Sequence, residues 1–191
     1  MHRLNCVLLL SACAAATHAT TIAVVPHSDA GVEGNSANVW PFDISLRYQQ
    51  VYDAAQFGGS GSITRIAFRP DATFAGAFSE TIASIQIDLS TTSATPDGLS
   101  DNLASTVGAD DEVVYTGSLT ISTSFTGPAG GPKAFDIIIN LATPFFYNPG
   151  LGNLLLDVRN FSGAQLTCAT SPCINALDAE STLGDSVRRG S

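Results

Sequence analysis

The chain predicts an all-β fold: a β-sandwich of jelly-roll or related Greek-key topology, incomplete at its C-terminal side. Three observations carry that reading. About eight short runs alternate apolar and polar residues, Gly, Pro and Asn clusters punctuate them at close spacing, and no helical pattern outlasts two turns. Composition agrees, because charged residues are only 13% of the chain and Ser, Thr, Gly, Ala and Asn fill the polar positions, a mix that suits strands and turns. A chain of 191 residues makes one domain once an export segment is set aside, and buries roughly 70% of its unfolded surface.

Residues 1–19, MHRLNCVLLLSACAAATHA, set a basic start before an apolar run and end in small residues. That is the layout of a secretory signal cleaved after Ala19, and the run is too short for a membrane anchor. Leu10-Ser11-Ala12-Cys13 also resembles a lipobox, which would make Cys13 a lipidated N-terminus; the short run before it favours simple secretion. The mature domain, residues 20–191, has no other apolar segment long enough to span a bilayer. Removing Arg3 from eight basic residues leaves 7 − 17 = −10, a charge that repels nucleic acid and anionic lipid. Two cysteines remain, Cys168 and Cys173. In an exported chain this spacing suits one small-loop disulfide better than a metal site, and closing so short a loop contributes about 2 kcal/mol at most.

Taken in order, Thr20–Val25 is a short β-branched run ended by Pro26 and is expected to form a first strand. The Gly/Asn/Ser-rich stretch after it reads as an irregular crossing that anchors Trp40 and Phe42 to the body. Leu46–Phe57, LRYQQVYDAAQF, fits a strand or a short helical turn equally well. Beyond Gly58-Gly59-Ser60-Gly61, SITRIAFRP places Ile66 and Phe68 opposite Arg65 and Arg69 until Pro70 stops it. In SIQIDLSTT, Ile85, Ile87 and Leu89 alternate with Gln86, Asp88 and Ser90, which predicts a half-buried strand with a polar outer face.

The polar excursion from Pro96 to Glu112 holds Asp97, Asp101, Asp110 and Asp111. These are Ca²⁺ candidates by ligand type, since calcium takes several oxygens from flexible loops, although their spacing is not that of an EF-hand. The alternative is a solvated acidic loop. EVVYTGSLTIST follows as a strand, with Val113 and Tyr115, then Leu119 and Ile121, expected to form its faces around Gly117. The strongest pattern is Phe135–Phe161, two alternating runs about a turn at Asn148-Pro149-Gly150, expected to be a buried strand pair at the centre of a sheet, linked by an arch that packs Phe145 or Phe146. After Phe161 the pattern dissolves. Asn160-Phe161-Ser162 meets the N-glycosylation rule, a weak signal on a strand end.

RYQQVYDAAQF, IQIDLSTTSATPDGLS, VGADDEVVYTGSL and FTGPAGGPKAFDIIINLATPFFYNPGLGNLLLDVRNFSG resemble a family of exported β-rich bacterial proteins of uncharacterised function, many of which end in a PEP-CTERM sorting signal. The resemblance spans Val25–Asp185. It implies surface sorting by an exosortase-type system and no catalytic residue to transfer. Family members continue past the segment matching Gly184-Asp185-Ser186 into further strands and the sorting signal, so this chain is expected to be a C-terminally truncated fragment.

These readings converge on a secreted or cell-surface, non-catalytic structural or interaction module, whose partner is an extracellular polysaccharide or envelope component. The alternative is a carbohydrate-binding module in which Trp40, Tyr48, Tyr52 and Tyr147 stack on sugars. A hydrolase using Asp110, Asp111 and Glu112 is weaker, and His27 as the sole mature histidine leaves little material for a Ser-His-Asp site. No cofactor beyond calcium is implied.

Overall fold

A computed structural model describes residues 22–38, 42–168, 175–181 and 187–190, with 165–168 and 187–190 described by backbone alone. These residues form an all-β fold of packed antiparallel sheets in a sandwich-like arrangement. The strands are β1 (Ser36–Asn38), β2 (Leu46–Tyr52), β3 (Gly61–Phe68), β4 (Phe78–Thr92), β5 (Glu112–Thr123), β6 (Ile137–Tyr147), β7 (Asn153–Asn160), β8 (Ala164–Cys168), β9 (Leu177–Ala179) and β10 (Val187–Gly190). The large sheet runs β10-β2-β7-β4-β5, with β8 continuing beside β4 where β7 leaves it. β3 pairs with β6, and β1 with β9. The only helical elements among the described residues are short 3₁₀ turns.

Period-two alternation builds the core. Ile85, Ile87 and Leu89 of β4 and Leu154, Leu156 and Val158 of β7 point to one side, where they join Ile137, Ile139, Phe145 and Tyr147 of β6 in a single cluster. The large sheet and the β3–β6 pair are therefore the two layers of the sandwich. Each fully buried aliphatic side chain stabilises it by about 1.5–3 kcal/mol before entropy is set against it.

Several expectations change. Ile22–Val25 is not a strand, and Ile22 is exposed, whereas β1 and a 3₁₀ turn at His27–Ala30 occupy the stretch expected to be irregular. The ambiguous Leu46–Phe57 divides into both: Leu46–Tyr52 is a strand because β7 and β10 flank it, and Ala54–Gln56 is a 3₁₀ turn. The two runs of Phe135–Phe161 do not pair with each other. β7 lies inside the large sheet while β6 joins β3 in the facing layer, so the turn at Asn148, closed by Leu151 N–H donating to Asn148 O, carries the chain from one layer to the other. β6 also extends to Tyr147 in place of the expected arch, burying Phe145 and exposing Phe146.

In β5 the residue buried is Val114, not Val113. The β4–β5 register shifts at Ile82/Ile85 and at Ile87/Asp88, and Gly117, at φ +122°, faces the first shift; such bulges change which residues point inward. After Phe161 the chain re-forms β8 along β4, and β10 adds to β2.

Candidate functional site

The described residues bring one carboxylate cluster together, and it joins three distant parts of the chain. Asp71 follows β3, Asp178 lies in β9, and Glu33 precedes β1. β9 is held between β1 and the chain after β3: Pro70 bridges Leu177, Asp178 N–H donates to Arg69 O, and Asp71 N–H donates to Ala176 O. One oxygen from each of Glu33, Asp71 and Asp178 lies within 4.8 Å of the other two.

Arg69 is buried beside them. Its guanidinium pairs with Asp178 at 2.5 Å and also donates to the carbonyl of Val32. Asp71 Oδ1 accepts from the backbone N–H groups of Thr73 and Phe74, Asp178 Oδ1 from Gly34, and Glu33 Oε1 from Ala72. Burial raises the Asp178 carboxyl above its ordinary range, against the opposing pull of Arg69. Gly34 is required here, because a Cβ on it would stand 2.2 Å from Ala179 O and 2.7 Å from Asp178 Oδ1.

A second polar assembly lies on the outer face of the large sheet. Register sets Arg47 opposite Arg159, Gln49 opposite Asp157, and Asp157 opposite Asp88. Arg47 grips Asp157 with Nε at 3.0 Å and a terminal nitrogen at 2.5 Å, Gln49 Nε2 donates to the same carboxylate, and Gln86 Nε2 donates to both oxygens of Asp88. Arg159 stands 3.5 Å from Asp88 and 3.6 Å from Asp157. Asp88 and Asp157 are 0% and 1% exposed. Burial raises the Asp88 carboxyl, and the hydrogen bond to Asp157 raises the Arg47 guanidinium. Two arginines face two buried carboxylates, so the assembly balances its own charge.

The excursion after Pro96 closes that face. Its turn at Leu103–Thr106 takes a hydrogen bond from Gln49, Thr106 hydroxyl donates back to Gln49, Thr92 hydroxyl donates to Thr106 O, and Gly108 N–H donates to Ser90. Its acidic residues serve this docking or face water. Asp110 accepts from Thr91 N–H, burial raises the Asp111 carboxyl, and Asp97 and Asp101 are exposed. Among the described residues, Asp97, Asp101, Asp110 and Asp111 form no group of three oxygens near enough to share an ion.

The tyrosines expected to stack on sugars are placed otherwise. Tyr48 and Tyr147 are core residues, 5% and 2% exposed, with Tyr48 hydroxyl donating to Gln50 Oε1 and Tyr147 hydroxyl to Gly152 O. Neither offers a ring face, because both fill the space between the layers. Tyr52 is half-buried against the same core. Trp40, Cys173 and the cleavage site after Ala19 lie outside the described residues, and Cys168 ends β8, where only backbone is described. Asn160 is 2% exposed, donates to Phe42 O and accepts from Ser162 and Gly163, so its sequon is closed to a glycosylating enzyme.

The outer face of β3–β6 differs from all of this. Ser62, Arg65 and Ala67 stand opposite Phe146, Asn140 and Ile138, all exposed, with Phe146 at 65% and Ile138 at 42%. No protein-family model, curated protein or solved structure matches the chain. The site therefore has to be read from its own chemistry. Among the described residues no helix is long and apolar enough to cross a membrane.

Proposed function

We propose that this chain is an exported, non-catalytic interaction module of a bacterial cell surface, sorted by a PEP-CTERM/exosortase system. The observation that carries the reading is the uncovered outer face of β3–β6, where Phe146, Ile138 and Ala67 offer apolar contact beside Arg65 and Asn140. Exposed apolar side chains flanked by polar ones are the usual composition of a docking surface. The ionic groups buried on the other outer face are meanwhile engaged in holding strands and loop together. The signal-like residues 1–19 support export, and neighbours such as β2-β7-β4, distant in sequence, support a Greek-key or jelly-roll connection.

A second reading, carbohydrate binding, is favoured by the same face rather than by the buried tyrosines. Phe146 presents a ring for stacking on the C–H face of a sugar, and Ser62, Arg65 and Asn140 supply hydroxyl partners. Cosedimentation of the purified chain with bacterial envelope fractions, with cellulose and with chitin separates the two readings. Binding to envelopes that falls at least tenfold in Phe146→Ser/Ile138→Thr is expected. Retention on cellulose or chitin with the same loss assigns the glycan. Equal binding by wild type and double variant on every support would remove this face from the function.

A further inference from the structure

We propose that Glu33, Asp71 and Asp178 hold a single Ca²⁺ ion that fastens the segment before β1, the segment after β3 and strand β9 to one another. Their spacing fits one ion. With Ca–O bonds of roughly 2.3–2.6 Å, two oxygens on the same ion are at most about 5 Å apart, and the three carboxylate oxygens lie within 4.8 Å of one another. Charge fits as well, since three carboxylates and Arg69 sum to −3 + 1 = −2, which a divalent cation cancels.

An independent observation points to the ligand. Glu33 Oε2 has less than 1 Å² of solvent exposure and no hydrogen-bond partner, while its twin Oε1 is occupied by Ala72 N–H. A carboxylate oxygen stripped of water and left without a donor is costly, and a metal bond removes that cost. The donor set is all oxygen, which selects a hard cation over zinc. Remaining positions on calcium are ordinarily filled by backbone carbonyls and water. Magnesium demands a tighter octahedron and keeps several waters, whereas calcium accepts the several carboxylates gathered here in a looser shell. Sequence spacing could not reveal the site, because 38 residues separate Glu33 from Asp71 and 107 separate Asp71 from Asp178.

The test titrates the full chain, stripped with EDTA and dialysed, with CaCl₂ in a calorimeter and follows thermal melting in parallel. The expected result is one ion per chain and, at about 100 times Kd, a melting temperature higher by about 5–10 °C. MgCl₂ at the same concentration gives a much smaller shift. Glu33→Gln keeps an oxygen for Ala72 N–H, so it folds in EDTA, yet binds Ca²⁺ at least tenfold more weakly; Asp101→Asn, in the exposed acidic loop, binds like wild type. Absence of heat with identical melting in CaCl₂ and EDTA overturns the proposal. So does unchanged affinity in Glu33→Gln, or loss in Asp101→Asn with retention in Glu33→Gln. An equal shift with MgCl₂ overturns the assignment to calcium.

Discussion

The two outer faces of the sandwich are built on opposite principles. On the large sheet, Val51, Leu155, Asp88 and Asp157 are all at most 1% exposed, beneath a loop fixed by hydrogen bonds to Gln49, Ser90 and Thr92. On the β3–β6 pair nothing described covers the outward residues, and Phe146 keeps 65% of its surface in water. Both faces alternate in sequence as half-buried strands do. What separates them is what the chain does afterwards, because the nineteen residues between β4 and β5 turn back over their own sheet whereas the short turn after β6 moves away. A polar outer residue in a strand is thus either a solvated group or half of a buried pair, and the loop decides which.

Removing Asp157 is expected to have the largest effect. In Asp157→Ala, Arg47 and Gln49 lose their shared acceptor on a closed face, at a cost of about 3 kcal/mol; this is the low end for a broken buried pair, since both arginines still reach water. Urea denaturation at neutral pH reads it, and a change below about 0.5 kcal/mol would mean that the covered face is not held by this pair.

Glu80 sharpens the contrast from inside. It shares the core side of β4 with Phe78 and Ile82, is 2% exposed, and bonds to Asn175, with no arginine beside it among the described residues. Burial, opposed by Asn175 and reinforced by Asp43, moves its carboxyl from its ordinary 4.5 up to about 7. The folded state therefore holds this proton more tightly than the unfolded state. The group's contribution is fully present below pH 4.5 and is lost as pH rises through 7. Glu80→Gln, a permanent neutral mimic, should match wild type at acid pH and exceed it by about 3 kcal/mol at alkaline pH. Parallel stability–pH curves for the two proteins would show that Glu80 titrates as an ordinary carboxyl.

The smallest effect belongs to the open face. Phe146→Ser should shift stability by no more than about 0.5 kcal/mol. A loss of several kcal/mol in thermal melts would show that the ring is packed, and the contrast between the faces would collapse.

Sequence alternation made the strands of the core legible, since Ile85, Ile87, Leu89, Leu154, Leu156 and Val158 share a side in the chain and in the fold. It misled where a bulge intervenes, as at Val113 and Val114, and where a strand is completed by pairing alone, as in β8 and β10. The acidic excursion stood out as a run of carboxylates in sequence, yet space scatters them, while Glu33, Asp71 and Asp178 meet only because β9 docks between two remote segments. Tyr48 and Tyr147 carry a polar tip on a large ring, which reads equally as a binding face or as a core residue with one hydrogen bond, and packing settles it.

β1 pairs with β9, and β2 with β10 as well as β7, all more than a hundred residues further along the chain. During synthesis none of these pairings can form until nearly everything between them has left the ribosome, so early strands wait with open edges. Such high contact order slows folding. Under the proposed export, that delay would keep the chain threadable: the lock that fastens the finished molecule cannot close while the chain is still being made.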